Sequence, residues 1–312
     1  MELQDVIIIG GGPAGLNAAV VLGRCRRKVL LFDTGQQRNR RSHGMHNYLT
    51  RDDILPGDFI ALAHGEIKKY GVPVKKQAVQ SVARKDDGIF EVKDNTDTVY
   101  LAKKILVATG LADTLPELEG IRELYGHSVF HCPYCDGWEV RDQRLGIYAR
   151  NKNGFELALS LTTWSRSVTY FTDGRNKLKP EQLRVLQQYG IPVINTRIRK
   201  LEGEDRQLKN ILLRNEERIA CDALFFVNGY TQQCGLVKDL GCTMSKKNVV
   251  ITNRLQQTNV PGVYVAGDAA RDMHFVVVAA AEGAKAAVVI NKELQKEEKL
   301  QITTQNKVSQ QA

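Results

Sequence analysis

The stretch of sequence that decides the fold is residues 5–15, which read DVIIIGGGPAG. A short apolar run, Val6–Ile9, leads directly into a cluster of glycines, and a segment of small residues follows. The next apolar run, Val29–Phe32, ends in Asp33. The order strand, glycine turn, helix, strand and acidic residue is typical of a βαβ unit that binds a dinucleotide.

The residues of this turn suit the phosphates of a dinucleotide. Gly10 permits a tight turn, Gly12 lets the backbone approach a pyrophosphate, and Gly15 allows the helix to pack closely on the strand. Free N–H groups at the helix N-terminus favour the anion. Asp33 is expected to accept hydrogen bonds from the hydroxyls of an adenosine ribose. The predicted binding residues of the turn are Gly10, Gly12, Pro13, Ala14 and Gly15.

Two later segments share the pattern of an apolar strand that ends in small residues. Ile105–Val107 is followed by Ala-Thr-Gly, which includes Thr109 and Gly110, and Val263–Ala266 is followed by Gly267 and Asp268. With the first turn, they resemble the fingerprints of flavoproteins that contain two dinucleotide-binding domains. The resemblance implies FAD at the first site, with Asp268 on its ribityl chain. Asp268 could also be the N-cap of the following helix.

Length and composition exclude several classes of protein. The 312 residues suit two domains of ordinary size, and 43% hydrophobic with 25% charged residues excludes a disordered or collagen-like chain. The longest apolar stretch, Phe275–Ala281, stops at Glu282 and is too short to span a membrane. The N-terminus lacks the basic region of a signal peptide. We therefore expect a cytoplasmic protein without membrane contact.

The net charge of +9 raises the question of a nucleic-acid partner. The basic clusters Arg24–Lys28 and Arg38–Arg41 lack both the aromatic residues of a single-strand binder and the spacing of a zinc finger. We predict no nucleic-acid binding.

Residues 130–139, FHCPYCDGWE, carry the predicted chemistry. Cys132 and Cys135 are three residues apart, a spacing that suits a small disulfide ring or two successive nucleophiles. The carboxyl of Asp136 could move a proton to or from a thiol, and His131 could lower a thiol pKa. Zinc is the main alternative, but a structural zinc site needs four ligands and no second pair of cysteines is present, so no metal is predicted. The other cysteines are interpreted as small hydrophobic residues: Cys25, Cys221, Cys234 and Cys242.

In this order and spacing, the motifs resemble the bacterial low-molecular-weight thioredoxin reductase superfamily of class II pyridine nucleotide-disulfide oxidoreductases. The similarity runs from Val6 to about Leu294. It implies an α/β fold of two Rossmann-like dinucleotide-binding domains, the second inserted in the first. The expected boundaries are 1–113 with 243–296 for the FAD-binding domain, 114–242 for the inserted NAD(P)H-binding-like domain with the CxxC, and 297–312 for a disordered polar tail.

The resemblance also implies residue roles. Cys135 would face the flavin, Cys132 would attack or release the disulfide of a partner, and Asp136 would be the acid/base. His274 and Phe275 stand where the reductases have an Arg-Gln near the flavin, which makes His274 a candidate titratable donor. A homodimer, with a thioredoxin-like protein or a small dithiol/disulfide as partner, is the expectation from the family.

The chain departs from the family at two places. Residues 38–52, which contain Ser-His-Gly-Met-His-Asn, resemble the branch with the dithiol oxidases of gliotoxin and holomycin. After the strand Leu145–Tyr148, the second nucleotide motif reads ARNKNG, so Ala149 and Asn151 replace two glycines and only Gly154 remains. Farther on, Thr-Asp-Gly replaces the His-Arg-Arg that binds the 2′-phosphate of NADPH.

These departures leave the use of NAD(P)H open. Arg150 and Lys152 could still attract an anion, and Asp173 could favour NADH. The sequence therefore predicts an FAD-dependent thiol-disulfide oxidoreductase with three possible electron routes. These are NAD(P)H in a reductase, O2 in a peroxide-producing dithiol oxidase, and a ferredoxin or flavodoxin, whose acidic surface would suit the +9 charge. A non-enzymatic dinucleotide sensor is a fourth reading, but it leaves the CxxC-Asp without a role.

Overall fold

The computed structural model describes residues 2–150 and 153–309, which form two compact units. The first unit contains Met1–Arg40, Gly57–Ala112 and Thr231–Ala312, and the second contains Arg41–Pro56 and Asp113–Tyr230. The division differs from the expected boundaries in three places: residues 231–242 belong to the first unit, and residues 41–56 and Asp113 belong to the second.

The strands follow one another along the whole chain. They are β1 (Leu3–Ile9), β2 (Val29–Phe32), β3 (Val74–Lys75), β4 (Val79–Arg84), β5 (Phe90–Asp94), β6 (Val99–Val107), β7 (Leu111–Asp113), β8 (Val129–Phe130), β9 (Leu145–Tyr148), β10 (Val168–Phe171), β11 (Val193–Ile194), β12 (Ile198–Glu204), β13 (Gln207–Leu213), β14 (Arg218–Ala220), β15 (Ala223–Phe226), β16 (Tyr230–Gln232) and β17 (Val263–Val265).

The helices alternate with many of these strands. They are α1 (Pro13–Arg24), α2 (Pro56–Lys68), α3 (Ile121–Leu124), α4 (Pro133–Asp136), α5 (Gly154–Leu161), α6 (Pro180–Gln188), α7 (Leu236–Asp239) and α8 (Val276–Ser309), with a 3₁₀ turn at Gly267–Ala270. Within the described residues, none of the helices is both long and apolar enough to cross a membrane.

The first unit is built on a mixed sheet with the strand order β3-β2-β1-β6-β5-β4, and β17 also pairs with β6. β1 pairs in parallel with β2 and β6, while β4, β5 and β6 are antiparallel. Val6–Ile9 is buried because helices or loops cover both faces of the parallel part. This places the glycine turn at the carboxyl end of β1, where the predicted nucleotide site requires it.

α1 packs against α8 at very close range. An added Cβ at Gly283 of α8 would lie only 1.9 Å from the carbonyl oxygen of Ala14. The Nδ2 of Asn17 donates a hydrogen bond to the carbonyl of Ala280 at 2.6 Å. The small residues of α8 are therefore needed for its contact with the first turn of α1.

The second unit contains a parallel sheet with the order β11-β10-β9-β15-β8 and a separate antiparallel sheet β12-β13-β14. All four residues of Leu145–Tyr148 and of Ala223–Phe226 are buried, as expected for central parallel strands covered on both faces. β9, the neighbouring β10 and the helix α5 confirm the second Rossmann-like pattern that the sequence predicts.

The prediction of a disordered tail is wrong for the described residues, because α8 continues to Ser309. The ammonium group of Lys104, a residue only 8% exposed, lies 2.5 Å from a carboxylate oxygen of Glu297. Glu298 forms an ion pair with Arg27. These two acids tie the polar part of α8 to cations of the first unit.

Replacing Glu297 by glutamine is expected to lower the free energy of unfolding by about 1 kcal/mol, because Lys104 then loses its nearer carboxylate. Urea denaturation of the two proteins measures the difference. Lys299→Gln, at an exposed position of the same helix, is the control and should change stability by less than about 0.5 kcal/mol. Equal stabilities of wild type and Glu297→Gln would show that the ion pair does not hold the tail.

Candidate active site

The glycine turn of the first unit leaves an open space at the start of α1. Gly10 has φ +115°, and a Cβ there would lie 2.3 Å from the carbonyl oxygen of Ala108. Gly12 is the N-cap of α1, and apart from Gly12 itself and its two chain neighbours no described residue has an atom within 4 Å of the position that its Cβ would take. Gly15 instead packs tightly, with its Cβ position 1.9 Å from the carbonyl oxygen of Gly10. The turn thus offers backbone N–H groups to an open space of the kind that a pyrophosphate occupies.

Asp33, at the end of β2, is 9% exposed and lies among polar groups. Its carboxylate accepts hydrogen bonds from Nε2 of Gln37 at 3.1 Å and from the backbone N–H of Gly35 at 3.0 Å. Nε2 of His64, on α2, lies 3.9 Å from the same carboxylate and has no hydrogen-bond partner among the described atoms. Sequence reasoning missed both Gln37 and His64, and nothing in the sequence places His64 of α2 beside the end of β2.

The other predicted cofactor residues of the first unit stand in two turns. Thr109 follows β6, and its buried hydroxyl has no hydrogen-bond partner among the described atoms. The next residue, Gly110, has φ +69°. The backbone N–H of Gly267 donates to the Glu282 carboxylate at 3.0 Å. Glu282, which ends the apolar run in the sequence, therefore has a structural partner.

Asp268 does not cap a helix, so that alternative is wrong. It lies inside the 3₁₀ turn, whose N-cap is Ala266. The carboxylate of Asp268 instead accepts a hydrogen bond from Nη1 of Arg38 at 3.2 Å, and both side chains are largely buried. His274 and Phe275 stand just before α8, and Nε2 of His274 lies 2.9 Å from the carbonyl oxygen of Arg271.

The resemblance to flavoproteins implies FAD, and the first unit fits a dinucleotide in three respects. The Gly12 position is open, the hydroxyl of Thr109 is buried without a described partner, and Asp33 is held as a buried acid at the end of β2. A phosphate would use the first feature, a polar ring edge the second and a ribose hydroxyl the third.

In the second unit, Cys132 and Cys135 form a disulfide, with their Cα atoms 5.3 Å apart. Cys132 immediately precedes α4, and its carbonyl oxygen accepts hydrogen bonds from the N–H groups of Cys135 and Asp136. This helical turn brings the two thiols within bonding distance. The described side chains contain no group of three or more His, Cys, Asp or Glu placed to hold a metal.

Asp136 lies directly beside this disulfide in the sequence and is 8% exposed. Burial, followed by the nearby charge of Glu139, raises the pKa of Asp136 to about 7. A carboxyl whose pKa is raised into this range can both take and give a proton near neutral pH. Gly137 lets the turn pack closely: its Cβ would lie 2.4 Å from the carbonyl oxygen of Pro133 and 2.8 Å from the ring of Trp164.

His131 belongs to a small polar cluster of the second unit. Its Nδ1 lies 3.8 Å from the carboxylate of Asp113 and 3.5 Å from the hydroxyl of Tyr125. That hydroxyl donates to Asp113 at 2.6 Å. The sequence did not identify Asp113 and Tyr125, because they are distant from the CxxC along the chain. An effect of His131 on the thiols stays a prediction.

Two aromatic side chains next to the disulfide are exposed. Tyr134 and Trp138 each have 64% of their surface accessible. The guanidinium of Arg141 lies 4.1 Å from the ring centre of Trp138, and Tyr134 meets the ring of Trp164 edge-on at 5.5 Å. The surface around the disulfide thus combines aromatic rings and a cation.

The remaining cysteines differ in exposure. Cys221 and Cys242 are buried as predicted, and burial raises the pKa of the Cys221 thiol to about 12. Cys234 is partly buried, whereas Cys25 is exposed. Cys25 lies at the surface as the C-cap residue of α1.

The third glycine of the second nucleotide motif packs as tightly as Gly15 does in the first motif. A Cβ at Gly154 would lie 2.1 Å from the hydroxyl of Tyr170 and 2.3 Å from the Cβ of Ala149. The carboxylate of Asp173 accepts hydrogen bonds from the backbone N–H of Ile198 at 2.9 Å and from the hydroxyl of Tyr148 at 3.2 Å. It also lies 3.7 Å from Nε of Arg150, which therefore faces an acid. Asn151 and Lys152 lie outside the described residues.

Comparison with known sequences decides the family. The sequence model described as pyridine nucleotide-disulphide oxidoreductase matches residues 4–283. The chain belongs to this family. Within the pyridine nucleotide-disulphide oxidoreductases it is a thioredoxin reductase-like disulfide oxidoreductase, as its relatives show. The family implies FAD binding, which the sequence also predicts.

Three relatives show how far the similarity extends. A probable thioredoxin reductase of Arthroderma benhamiae is 31% identical over 94% of this chain and 81% of its own length. The crystal structure of HlmI is 34% identical, with a TM-score of 0.94 over 99% of this chain and 98% of that one. A putative thioredoxin reductase TrxB of Bacillus anthracis is also 34% identical, with a TM-score of 0.90 over 95% and 99%. The fold of two Rossmann-like domains, expected from the resemblance, is confirmed.

Proposed function

We propose that this protein is an FAD-dependent thiol-disulfide oxidoreductase that passes electron pairs between its flavin and a dithiol/disulfide partner through Cys132 and Cys135. The observation that carries the proposal is the disulfide of the second unit, followed directly by a buried carboxyl with a pKa of about 7. A purely structural disulfide does not need a neutral-pH acid next to it.

The first unit supplies the residues that would hold the cofactor. When bound, FAD supplies an acceptor and donor of electron pairs. The N–H groups at the start of α1 would bind its pyrophosphate, and Asp33 would accept hydrogen bonds from the adenosine ribose. Arg38 holds the carboxylate of Asp268 in place, which orients that acid for a hydroxyl of the ribityl chain.

The second unit supplies the thiol chemistry. In the oxidising direction, a thiolate of the partner attacks Sγ of Cys132, forms a mixed disulfide and releases Cys135 as a thiolate. The second thiolate of the partner then attacks the first sulfur of the partner, which is bonded to Cys132 in the mixed disulfide, and releases Cys132 as a thiolate. The partner leaves as a disulfide, and the electron pair stays on the two cysteines. The reducing direction follows the same steps in reverse.

Asp136 is proposed to move the accompanying proton. With a pKa of about 7, it can take a proton from an attacking thiol as a carboxylate and return one to a leaving thiolate as an acid.

The proposed partner is a thioredoxin-like protein or a small dithiol/disulfide. The names of the relatives support a thioredoxin-like protein, and the exposed Tyr134 and Trp138 support docking next to the disulfide. A homodimer, a cytoplasmic location and a ferredoxin or flavodoxin donor stay predictions.

A dithiol oxidase is the second candidate, and the second nucleotide motif favours it. Two residues of this motif speak against NADPH: Ala149 carries a Cβ where the tight turn has a glycine, and Asp173 brings a carboxylate to the place where the family has cations for the 2′-phosphate. In this candidate, a dithiol and O2 are converted to a disulfide and hydrogen peroxide, without a nicotinamide.

Anaerobic mixing of the yellow protein with different reductants separates the candidates. Dithiothreitol is expected to bleach the flavin absorption, and NADPH or NADH should do so at least about 100-fold more slowly, because Ala149 and Asn151 replace two of the three glycines of the phosphate-binding turn. Peroxide that appears when air is readmitted would favour the oxidase. Rapid bleaching by NADPH would contradict our account of the second motif, and a flavin that no reductant bleaches would favour a sensor.

A further inference from the structure

The 3₁₀ turn that carries Asp268 is held at both of its ends by one ion pair of the first unit. Glu282 of α8 is 9% exposed, and one oxygen of its carboxylate accepts a hydrogen bond from the backbone N–H of Gly267 at 3.0 Å. The other oxygen accepts a hydrogen bond from Nε of Arg271. Arg271 is the C-cap of the turn, and its own backbone N–H donates to the carbonyl of Asp268 at 3.3 Å. The ion pair therefore connects the residue before Asp268 with the residue that closes the turn.

The guanidinium of Arg271 also ties this turn to the preceding loop. Its Nη1 donates to the hydroxyl of Thr252 at 2.9 Å and to the carbonyl of Ala270 at 3.0 Å. Its Nη2 donates to Oε1 of Gln256 at 2.8 Å. A lysine ammonium group at this position could not reproduce the set, because the planar guanidinium presents five donors in a fixed fork and an ammonium group only three.

The loop residue at the far side of the guanidinium is itself fixed. Gln256 is 1% exposed and has φ +63°, in the left-handed region that residues other than glycine seldom adopt. Its carbonyl accepts a hydrogen bond at 3.1 Å from the N–H of Val265, the last residue of β17. Such a backbone conformation persists only where the surrounding contacts determine it. The anchor of Arg271 is therefore set by the sheet and not by the turn.

We propose that Arg271 and Glu282 are positioning residues for the flavin end of FAD, because their ion pair fixes the turn that presents Asp268 to the ribityl chain. The adenosine end depends on other residues, the glycine turn before α1 and Asp33. The pair should therefore act on the part of the cofactor beyond its pyrophosphate. This inference rests on the proposed function, which gives Asp268 its place on the ribityl chain.

The test compares two ligands by isothermal titration calorimetry of the FAD-free protein: FAD, and ADP, which lacks the ribityl chain and the flavin. Glu282→Gln leaves one side-chain oxygen for two donors, so either the N–H of Gly267 or Nε of Arg271 loses its partner. The Kd for FAD should rise about 10- to 100-fold, because a buried donor is left without an acceptor. The Kd for ADP should stay within about twofold of the wild-type value.

Arg271→Lys is the second variant, because it keeps the positive charge and removes only the fork of donors. It should raise the Kd for FAD about tenfold and leave that for ADP unchanged. If Glu282→Gln does not fold, this variant decides the proposal alone.

The matched control is Asp272→Asn, which removes an ion pair from the next residue of the same loop. The carboxylate of Asp272 lies 2.8 Å from Nζ of Lys247, and both side chains are more than half exposed. Both affinities of this variant should equal those of the wild type.

Equal losses of FAD and ADP affinity in the Glu282 and Arg271 variants would show that the pair only stabilises the first unit, and unchanged FAD affinity would show that it has no part in binding. Either result overturns this inference and leaves the proposed function intact. A wild-type protein that does not bind FAD would overturn both.

Discussion

Replacing Cys135 by serine is expected to leave the protein yellow but to slow bleaching of the flavin by dithiothreitol by roughly a thousandfold or more. The Cys132 thiol of the variant can still form a mixed disulfide with an oxidised partner. The variant cannot close the internal disulfide that carries the electron pair. Binding of FAD should be unchanged, because the cysteines and the glycine turn belong to different units. Anaerobic stopped-flow absorption measures the rate, and the absorption spectrum of the purified variant measures the bound FAD.

Cys25→Ser is the matched control for this experiment. It also removes one thiol, but Cys25 is exposed at the end of α1. Its bleaching rate should equal that of the wild type. If Cys135→Ser were bleached as fast as the control, dithiothreitol would be reducing the flavin directly and the CxxC would have no part in electron transfer.

Replacing Gly12 by alanine should weaken FAD binding by roughly 10- to 100-fold, which corresponds to an overpacking cost of about 1–3 kcal/mol. The added methyl group would enter the open space at the start of α1 that a pyrophosphate requires. The fold should tolerate it, since the backbone of Gly12 is extended and, apart from its chain neighbours, no described residue has an atom near the new Cβ. Fluorescence titration of the FAD-free protein measures the affinity.

Two glycine variants show whether the effect is specific. Gly57→Ala, in α2 of the same unit, also meets no described atom outside its own stretch of helix and should leave FAD affinity unchanged. Gly15→Ala should instead destabilise the apoprotein, because its Cβ would lie 1.9 Å from a carbonyl oxygen. Unchanged affinity in Gly12→Ala would mean that the pyrophosphate does not bind at this turn.

The first unit was predictable because its signals are local. The apolar run before Gly10 and the acid after Phe32 each depend on neighbours within a few residues, and the strands and helix form where they are predicted. The disulfide between Cys132 and Cys135 was likewise accessible, since one helical turn brings the two residues together.

The partners of the buried acid could not be predicted in the same way. Asp136 was identified from its position after Cys135, but its protonation depends on burial and on Glu139, which composition and spacing do not reveal. His46 reaches Glu139 only because residues 41–56 fold onto the second unit. The Ser-His-Gly-Met-His-Asn sequence could be recognised as unusual, but its place in the fold is set by tertiary contacts.

For the C-terminal tail, the sequence predicted disorder where the structure has a helix. Its polar composition suggested disorder, but composition does not record that Lys104 and Arg27 present cations to Glu297 and Glu298. Ion pairs and the continuation of a long helix outweighed the lack of apolar residues.

The central claim is that the two sulfurs of the CxxC exchange an electron pair with the flavin. An anaerobic reductive titration tests it most directly, with flavin absorption and free thiols counted in the same sample. Our account predicts an uptake of about four electrons per chain, two in the disulfide and two in the flavin, and about two in Cys135→Ser. A disulfide that is fully reduced while the flavin stays oxidised, or a protein that is colourless and cannot be reconstituted with FAD, would contradict it.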